Sequence, residues 1–424
     1  MADATKRDLG IKRLKEARGL AMSDEEAAAQ GCFVLIRPGK RRAIRILEKI
    51  LYPVVRSWER MRPGPSKTSD VVERILVVEY SLLGDIILLL PFLQNLRAHY
   101  PSSQITLLVN PGVLTLLKHQ ELADELVPIR MPWVESLSRL GKWNPFSSLW
   151  IKLAHCMWSL RRQKFDLAFS VRGDVRDNLL LWIAGAERRV GYGFGGGAFL
   201  LTDAVVPDLD HPHISDRWLR FLESLGKPVL ERHPHLRLTA KEEEFAERYL
   251  AERGILDGDF VVGIHSKARV PTRRWQEENF RAIGERLINQ FSAKILWFHD
   301  PQDGNRMDAS ANGVVPVCLG LREFMAVLSH CKFLVCNDGG QMHIATALEV
   351  PVVAVFGSTE PAWYAPIGEQ NRIVIRPGFW CRPCGERCVF NEPYCIRSIS
   401  IEQVYTAAEE VVRRLASQEA FLPQ

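Results

Sequence analysis

Apolar residues along this chain come in two rhythms. From Lys40 to Met61, Ile44, Leu47, Leu51, Val54, Val55, Trp58 and Met61 follow a three-four spacing that gathers them on one side of a helix. Arg42, Arg45, Lys49, Arg56 and Arg60 cluster opposite, and Pro53 is expected to kink the helix or restart it. Before it, the Ala/Glu run from Ser23 to Gln30 predicts a short capped helix; after it, Arg62 to Ser69 reads as a linker. From Val71 the rhythm changes to short β-branched runs alternating with helical stretches. Strands are expected at 75–79, 105–110, 126–129 and 166–171, with helices at 86–99, 147–163 and 177–185. The pattern lapses between Gly226 and Leu238 and then resumes. Strands are expected at 260–265, 293–298, 333–336 and 352–356, and helices at 277–290, 321–331, 341–348 and 399–415.

Fully apolar strands alternating with helices predict parallel sheets covered on both faces. The expected class is therefore α/β: a basic helical extension over 1–70, one α/β domain over 71–235 and a second over 236–424. Two such domains are expected to leave a cleft, with ligands at the carboxyl ends of the strands that face it.

Composition adds exclusions. With 47% apolar and 25% charged residues in 424, the chain has ordinary globular usage, which removes fibrous and wholly disordered classes. The net charge of +5 is unevenly placed. Residues 1–70 hold 16 Lys+Arg against 9 Asp+Glu, and 37–62 alone hold 9 against 2, so the remaining body is slightly acidic. That balance argues against nucleic-acid binding, which needs a basic patch on the folded domain. The longest apolar stretch, Ser81 to Leu93, contains Asp85 and falls short of the ~20 residues of a membrane-spanning helix. Nor does the chain open with an apolar signal core, so a cytoplasmic location is expected. The basic helix has two readings: it lies on an anionic membrane leaflet as a peripheral contact, or it packs against the first domain.

Four clusters carry candidate chemistry. In Ser81-Leu-Leu-Gly-Asp85, between a strand and its helix, Asp85 is either a helix cap or a general base for a hydroxyl. In Asn337-Asp-Gly-Gly-Gln-Met-His343 a helix opens straight after a strand. Gly339 and Gly340 let the backbone approach a ligand closely and the N–H groups of the helix start attract a phosphate, while Asp338 would repel one and suits a sugar hydroxyl. His343, one turn into that helix, either donates to phosphate or packs. The loop His265-Ser266-Lys-Ala-Arg-Val-Pro-Thr-Arg273-Arg-Trp275 brings four cations and two hydroxyls to a strand end, as a diphosphate requires; its alternative is a solvated charged loop. Finally, Cys381-x2-Cys384-x3-Cys388-x6-Cys395 has the spacing of a four-thiolate structural Zn or Fe site, with free thiols and disulfides as alternatives. Gly191 to Gly196 fits G-x-G-x-x-G, but no helix follows it, so the dinucleotide fingerprint fails.

Together these segments resemble glycosyltransferase family 9, the lipopolysaccharide heptosyltransferases. The resemblance lies in Ile75 to Pro91, in Arg273-Arg-Trp275 and in Asn337 to His343 with Ala345 and Ala347, and spans about Val71 to Leu415. It implies a GT-B fold of two Rossmann-like domains, and inverting transfer of heptose from ADP-heptose to Kdo or heptose of a lipid-linked inner core, with no cofactor for catalysis. By that resemblance Asp85 is the base, and Ser266, Arg273, Asp338, Gly339, Gly340, Gln341 and His343 bind the donor. Asp303 is assigned to the ribose and Leu319 to the adenine. For the acidic acceptor, Arg172 and Arg176 are the candidates. The chain departs from the family in having Arg273 for a lysine, Gly339 for a hydroxyl residue, and Gln276 where proline is common. Two rivals remain: a transferase of the same fold with another nucleotide sugar or a protein or glycan acceptor, and a non-catalytic binding protein with a degenerate donor site.

Overall fold

The computed structural model describes residues 38–61, 71–134, 147–193, 195–206, 212–300, 313–384 and 388–419. The expected helix at 23–30 and the linker at 62–69 lie outside them. The chain divides into two compact units, the first ending at Arg232 and the second beginning at His233.

The first unit opens with α1 (Pro38–Met61), which includes Pro53 within one helix, so the chain does not restart there. Its sheet is built from β1 (Arg74–Val78), β2 (Gln104–Val109), β3 (Glu125–Pro128), β4 (Leu167–Ser170), β5 (Arg188–Tyr192) and β6 (Asp203–Val205). Their order is β3-β2-β1-β4-β5-β6, and every pairing is parallel. Strand β1 lies in the middle, with Ile75 level with Ile105 on one side and Leu167 on the other. Ile75 to Val78 are completely buried, which is why a run with no polar face is stable there. The helices are α2 (Leu83–His99), α3 (Ser148–Gln163), α4 (Val175–Ala184) and α5 (Ile214–Ser224). Helix α2 is apolar nearly all round and buries Ile86 to Leu93. Its Phe92 meets the rings of Phe169 and Phe221 edge-on, tying sheet, α2 and α5 together.

The second unit repeats the plan. It has β7 (Val261–His265), β8 (Lys294–His299), β9 (Val314–Cys318), β10 (Phe333–Asn337), β11 (Val352–Phe356) and β12 (Arg372–Ile375), in the parallel order β12-β11-β10-β7-β8-β9. Read from the other edge this is the topology of the first sheet, strand for strand. Its helices are α6 (Ala240–Ala251), α7 (Glu277–Phe291), α8 (Leu321–Leu328), α9 (Gly340–Ala347) and α10 (Ile401–Glu419). Trp275 is fully buried among Ile264, Phe280, Ile399 and Val404, its indole N–H donating to the Ile399 carbonyl at 2.9 Å. Helix α6 starts on a capping box in which Glu242 also holds Arg322 of α8 through two hydrogen bonds of 2.7 and 2.6 Å. The Arg322 pairing is the main cause that lowers the Glu242 carboxyl to about 2.

Both units put a switch in strand order between two central strands, β1/β4 and β7/β10. Beyond the carboxyl ends of such a pair, helices leave toward opposite faces and open a crevice. The loops at 81–85, 265–275 and 337–343 follow β1, β7 and β10, three of these four strands.

Candidate functional site

In the first unit the switch point is lined by the loops after β1 and β4. Helix α2 begins at Leu83 with Leu82 in the cap position, so Asp85 is the third residue of its first turn and not its cap. Asp85 is half-buried, and its negative charge reaches the buried Glu79 and the half-buried Arg172. Arg172, just past β4, donates from Nη1 to Ser81 Oγ at 2.8 Å, stands 4.8 Å from the Tyr80 ring centre and lies 3.7 Å from Asp177 Oδ2. Burial opposes this cation, but Glu79, Tyr80, Asp177 and Asp85 outweigh it and raise its pKa.

Two carboxyls of this network are held against their ionised forms. Glu79 is buried at the end of β1; its Oε1 accepts from the Ser81 N–H at 2.6 Å, and Oε2 has no partner among the described residues. Burial, with Arg172 opposing and Asp85 assisting, pushes its carboxyl up to about 7. Asp177 is raised to about 6, again chiefly by burial, and accepts a very short bond from the Tyr80 hydroxyl. That hydroxyl also accepts from Trp133 Nε1 at 2.9 Å. Glu79, Tyr80, Asp177 and Trp133 were not foreseen from the sequence. A glutamate closing the apolar run Ile75 to Val78 was the one available signal.

Arg176, the other acceptor candidate, is committed differently. It forms a two-pronged pair with Asp174, at 2.8 and 2.6 Å, and its guanidinium stands 5.3 Å from the Trp133 ring centre. Asp174 also caps α4 through the Arg176 N–H at 2.9 Å. The segment around Gly195 crosses this loop closely: a Cβ there would fall 2.1 Å from the Gly173 carbonyl oxygen, so only glycine fits.

In the second unit the loops after β7 and β10 meet in the same way. Asn337, the last residue of β10, locks them together: its side-chain amide donates to the Ser266 carbonyl at 2.7 Å, and its Oδ1 accepts from the Trp275 N–H at 2.9 Å. Between those anchors, Arg273 Nε faces Asp338 Oδ2 at 3.5 Å, an ion pair too long for a hydrogen bond. Asp338 is 3% exposed; burial raises its carboxyl while Arg273, and then the Thr359 hydroxyl, pull the other way. Arg273 Nε, Asp338 Oδ2 and the buried Ser266 Oγ have no hydrogen-bond partner among the described residues. Unsatisfied buried polar atoms are rare in folded proteins, and a ligand or ion that binds there is one explanation for them. Helix α9 opens at Gly340, so the first-turn N–H groups of Gly340 and Gln341 point out of its start beside these atoms.

Other expected residues fall around this centre. Gly339 has extended backbone (φ −176°), and an added Cβ would meet only the tip of Gln341 at 3.1 Å; the chain conformation there does not require glycine. His343 is buried one turn into α9, and Leu319 is half-buried after β9. Asp303 lies outside the described residues. Gly357, past β11, does need to be glycine, since a Cβ would come within 2.3 Å of the Thr272 carbonyl oxygen.

The cysteine segment supports this corner from below. Arg382 Nε donates to the Gly357 carbonyl at 2.8 Å and the Cys384 N–H to the Ser358 carbonyl at 3.2 Å, while Ser358 Oγ donates to Thr272 Oγ1 at 3.1 Å. Cys381, Cys384 and Cys395 are buried, Cys388 is half-buried, and all four are unbridged. Cys384 is hydrogen-bonded to Cys381 and lies within electrostatic reach of the other two. Among the described residues, however, no group of three or more His, Cys, Asp or Glu is arranged to hold a metal, so the geometry gives the Zn or Fe expected from the spacing no support.

A family model described as glycosyltransferase family 9 (heptosyltransferase) matches residues 153–394, more than half of the chain. Lipopolysaccharide heptosyltransferase 2 of Salmonella typhimurium is 25% identical over 328 residues, which cover 71% of this chain and 87% of that protein. Among solved structures, a glycosyl transferase family 9 protein from Veillonella parvula superposes with a TM-score of 0.65 at 22% identity, covering 81% of this chain and 98% of that one. The E. coli ADP-heptose lps heptosyltransferase II gives 0.61 at 20% identity, covering 81% and 99%. These likenesses make the pair of Rossmann-like units a GT-B fold, as the sequence led one to expect.

Proposed function

Because the chain belongs to glycosyltransferase family 9 and is a glycosyltransferase, we propose that it transfers heptose from ADP-heptose, with inversion, to a Kdo or heptose hydroxyl of a lipopolysaccharide inner core. The observation that carries this reading is the second switch point, where Arg273, Asp338 and Ser266 present buried polar atoms that make no hydrogen bond among the described residues, at the start of α9. A diphosphate needs fixed positive charge and outward-pointing N–H groups, which are here. A sugar hydroxyl needs a buried acceptor oxygen, which Asp338 Oδ2 supplies. The named activities of the Salmonella and E. coli proteins support the choice of sugar and nucleotide.

In the proposed reaction Asp85 takes the proton from the acceptor hydroxyl as its oxygen attacks the anomeric carbon. The bond from that carbon to the diphosphate oxygen breaks on the opposite face, and ADP leaves with the electron pair, so the configuration inverts. Arg273 and the N–H groups of α9 stabilise the charge that grows on the leaving oxygen; because they are already in place, little reorganisation accompanies the step. Ser266 and His343 complete the donor contacts, the adenine is assigned to Leu319 and the ribose to Asp303, and Arg172 bears on the acidic acceptor. We keep the domain limits 71–235 and 236–424 as the acceptor and donor halves of this scheme.

Incubation of the purified protein with ADP-heptose and Kdo2-lipid A tests the assignment, with ADP release and a heptose mass increment on the lipid as readouts. Transfer from another nucleotide sugar, with none from ADP-heptose, would sink the donor assignment. Binding of ADP without turnover of any acceptor would favour the non-catalytic rival.

A further inference from the structure

Helix α1 has one fastened side and one open side. On the fastened side Tyr52 meets the Phe199 ring edge-on at 5.9 Å, Val55 is 2% exposed, and Glu48 Oε1 accepts from the Gly197 N–H at 2.7 Å. The sequence reading that this helix packs on the first domain is thus half of the picture. On the open side Ile46, Ile50 and Val54 recur every fourth residue, one above the other, and are 54%, 59% and 58% exposed. A helix fastened by one side ordinarily turns a polar side outward, and a contiguous apolar ridge there marks a contact with something else.

A second helix extends the open side. On α3, Ile151 and Trp158 lie seven residues apart on one side and are both more than half exposed, with the Arg162 guanidinium 4.7 Å from the Trp158 ring centre. Arg161 of α3 reaches α1, its guanidinium 6.0 Å from the Trp58 ring centre, while Trp58 also meets Trp182 of α4 edge-on. Lys49 and Arg60 are exposed on α1 beside the ridge.

We propose that the open sides of α1 and α3 form a docking surface for an anionic lipid bilayer. Ile50, Val54 and Trp158 enter the headgroup boundary, while Lys49, Arg60 and Arg162 meet lipid phosphates. Charge selects the occupant. Residues 37–62 hold 9 Lys+Arg against 2 Asp+Glu, so two copies set ridge to ridge would repel, whereas an anionic surface attracts each cation. Exposed tryptophans beside cations also suit the interfacial layer, where an indole is half in hydrocarbon and half in water. None of this depends on the transfer reaction, and the binding test uses neither donor nor acceptor.

The full chain is floated with vesicles of phosphatidylethanolamine and phosphatidylglycerol, and with phosphatidylcholine alone. The expected result is flotation with the anionic vesicles only. Lys49→Gln with Arg60→Gln should weaken binding about thirtyfold, the worth of two surface cations. Ile50→Asp with Val54→Asp should weaken it by about tenfold or more. Since all four side chains are exposed, both variants should keep the wild-type melting temperature and transferase rate on a soluble acceptor. Equal binding to neutral vesicles, no binding to anionic ones, or unchanged binding of the Asp variant would each overturn the proposal. So would a wild-type dimer in sedimentation that the Asp variant dissociates while neither protein floats.

Discussion

Replacing Glu79 with glutamine isolates the cost of one buried charge. The wild-type carboxyl ends β1 with one oxygen bonded to the Ser81 N–H and the other unpartnered, and burial lifts its pKa from 4.5 to about 7. An acid raised on folding binds its proton more tightly in the folded chain. Its stabilisation is therefore complete below the unfolded value near 4.5 and is lost as pH climbs through 7. At 1.36 kcal/mol per unit, the whole loss is about 3 kcal/mol, of which about 2.5 kcal/mol falls between pH 5 and pH 8. Glutamine keeps the oxygen that accepts from Ser81 and carries no charge at any pH. Urea unfolding of both proteins should show them close together at pH 5, with the variant gaining about 2.5 kcal/mol on the wild type by pH 8. A difference that stays constant across that range would refute the argument, because it would mean that Glu79 ionises as readily in the folded chain as in the unfolded one. A variant that loses ground as pH rises would show that Arg172 more than compensates the charge, holding the folded carboxyl below its unfolded value.

Asp85→Asn should cut transfer by about a hundredfold to ten-thousandfold while leaving ADP affinity within a factor of two or so, as calorimetry would show; appreciable residual turnover removes Asp85 from its role as base. Arg273→Lys keeps a positive charge but loses the planar fork, and should raise the KM for donor about tenfold with a smaller change in kcat. An unchanged KM would place the diphosphate elsewhere. Gly357→Ala forces its new methyl against the Thr272 carbonyl, now 2.3 Å from that position, so donor binding should weaken even though residue 357 touches no substrate in the scheme. Trp275→Ala empties a fully buried site and should destabilise the second unit by about 3–5 kcal/mol, read as a lower urea midpoint for that unit.

The central strands were legible because they are buried on both faces, and nothing but an unbroken apolar run survives there: β1, β7, β10 and β11 are examples. The strands that escaped sequence reading are β5, β6, β9 and β12. Three of these begin or end a sheet and keep a partly exposed, mixed side. Strand β5 begins with two arginines, a pattern that reads as loop. Yet Arg188 is paired with Asp203 on the next strand, and the buried Arg189 donates to the carbonyls of Leu200 and Ala186. Only the folded chain supplies those partners. The same holds at the sites. Asp85, Arg273 and Asp338 announced themselves by following strands, whereas Asp177, in the first turn of α4, reads as an ordinary helix-start acid until the fold sets Tyr80 and Arg172 over it.

The register of the second sheet has a consequence for synthesis. Arg273 follows β7 and Asp338 follows β10, and these strands become neighbours only when Leu334 comes level with Gly263, some 70 residues earlier in the chain. Until β10 has left the ribosome, β7 has an open edge and two apolar faces. Pairings so distant in sequence form slowly. The anchor Asn337, which fixes both loops, is the last residue of the late strand. No shorter nascent chain can therefore hold the site's shape, and any ligand of that site selects the finished sheet alone. At a hundred times its dissociation constant such a ligand deepens the folded state by about 2.7 kcal/mol, which makes it a chaperone for the unit that binds it.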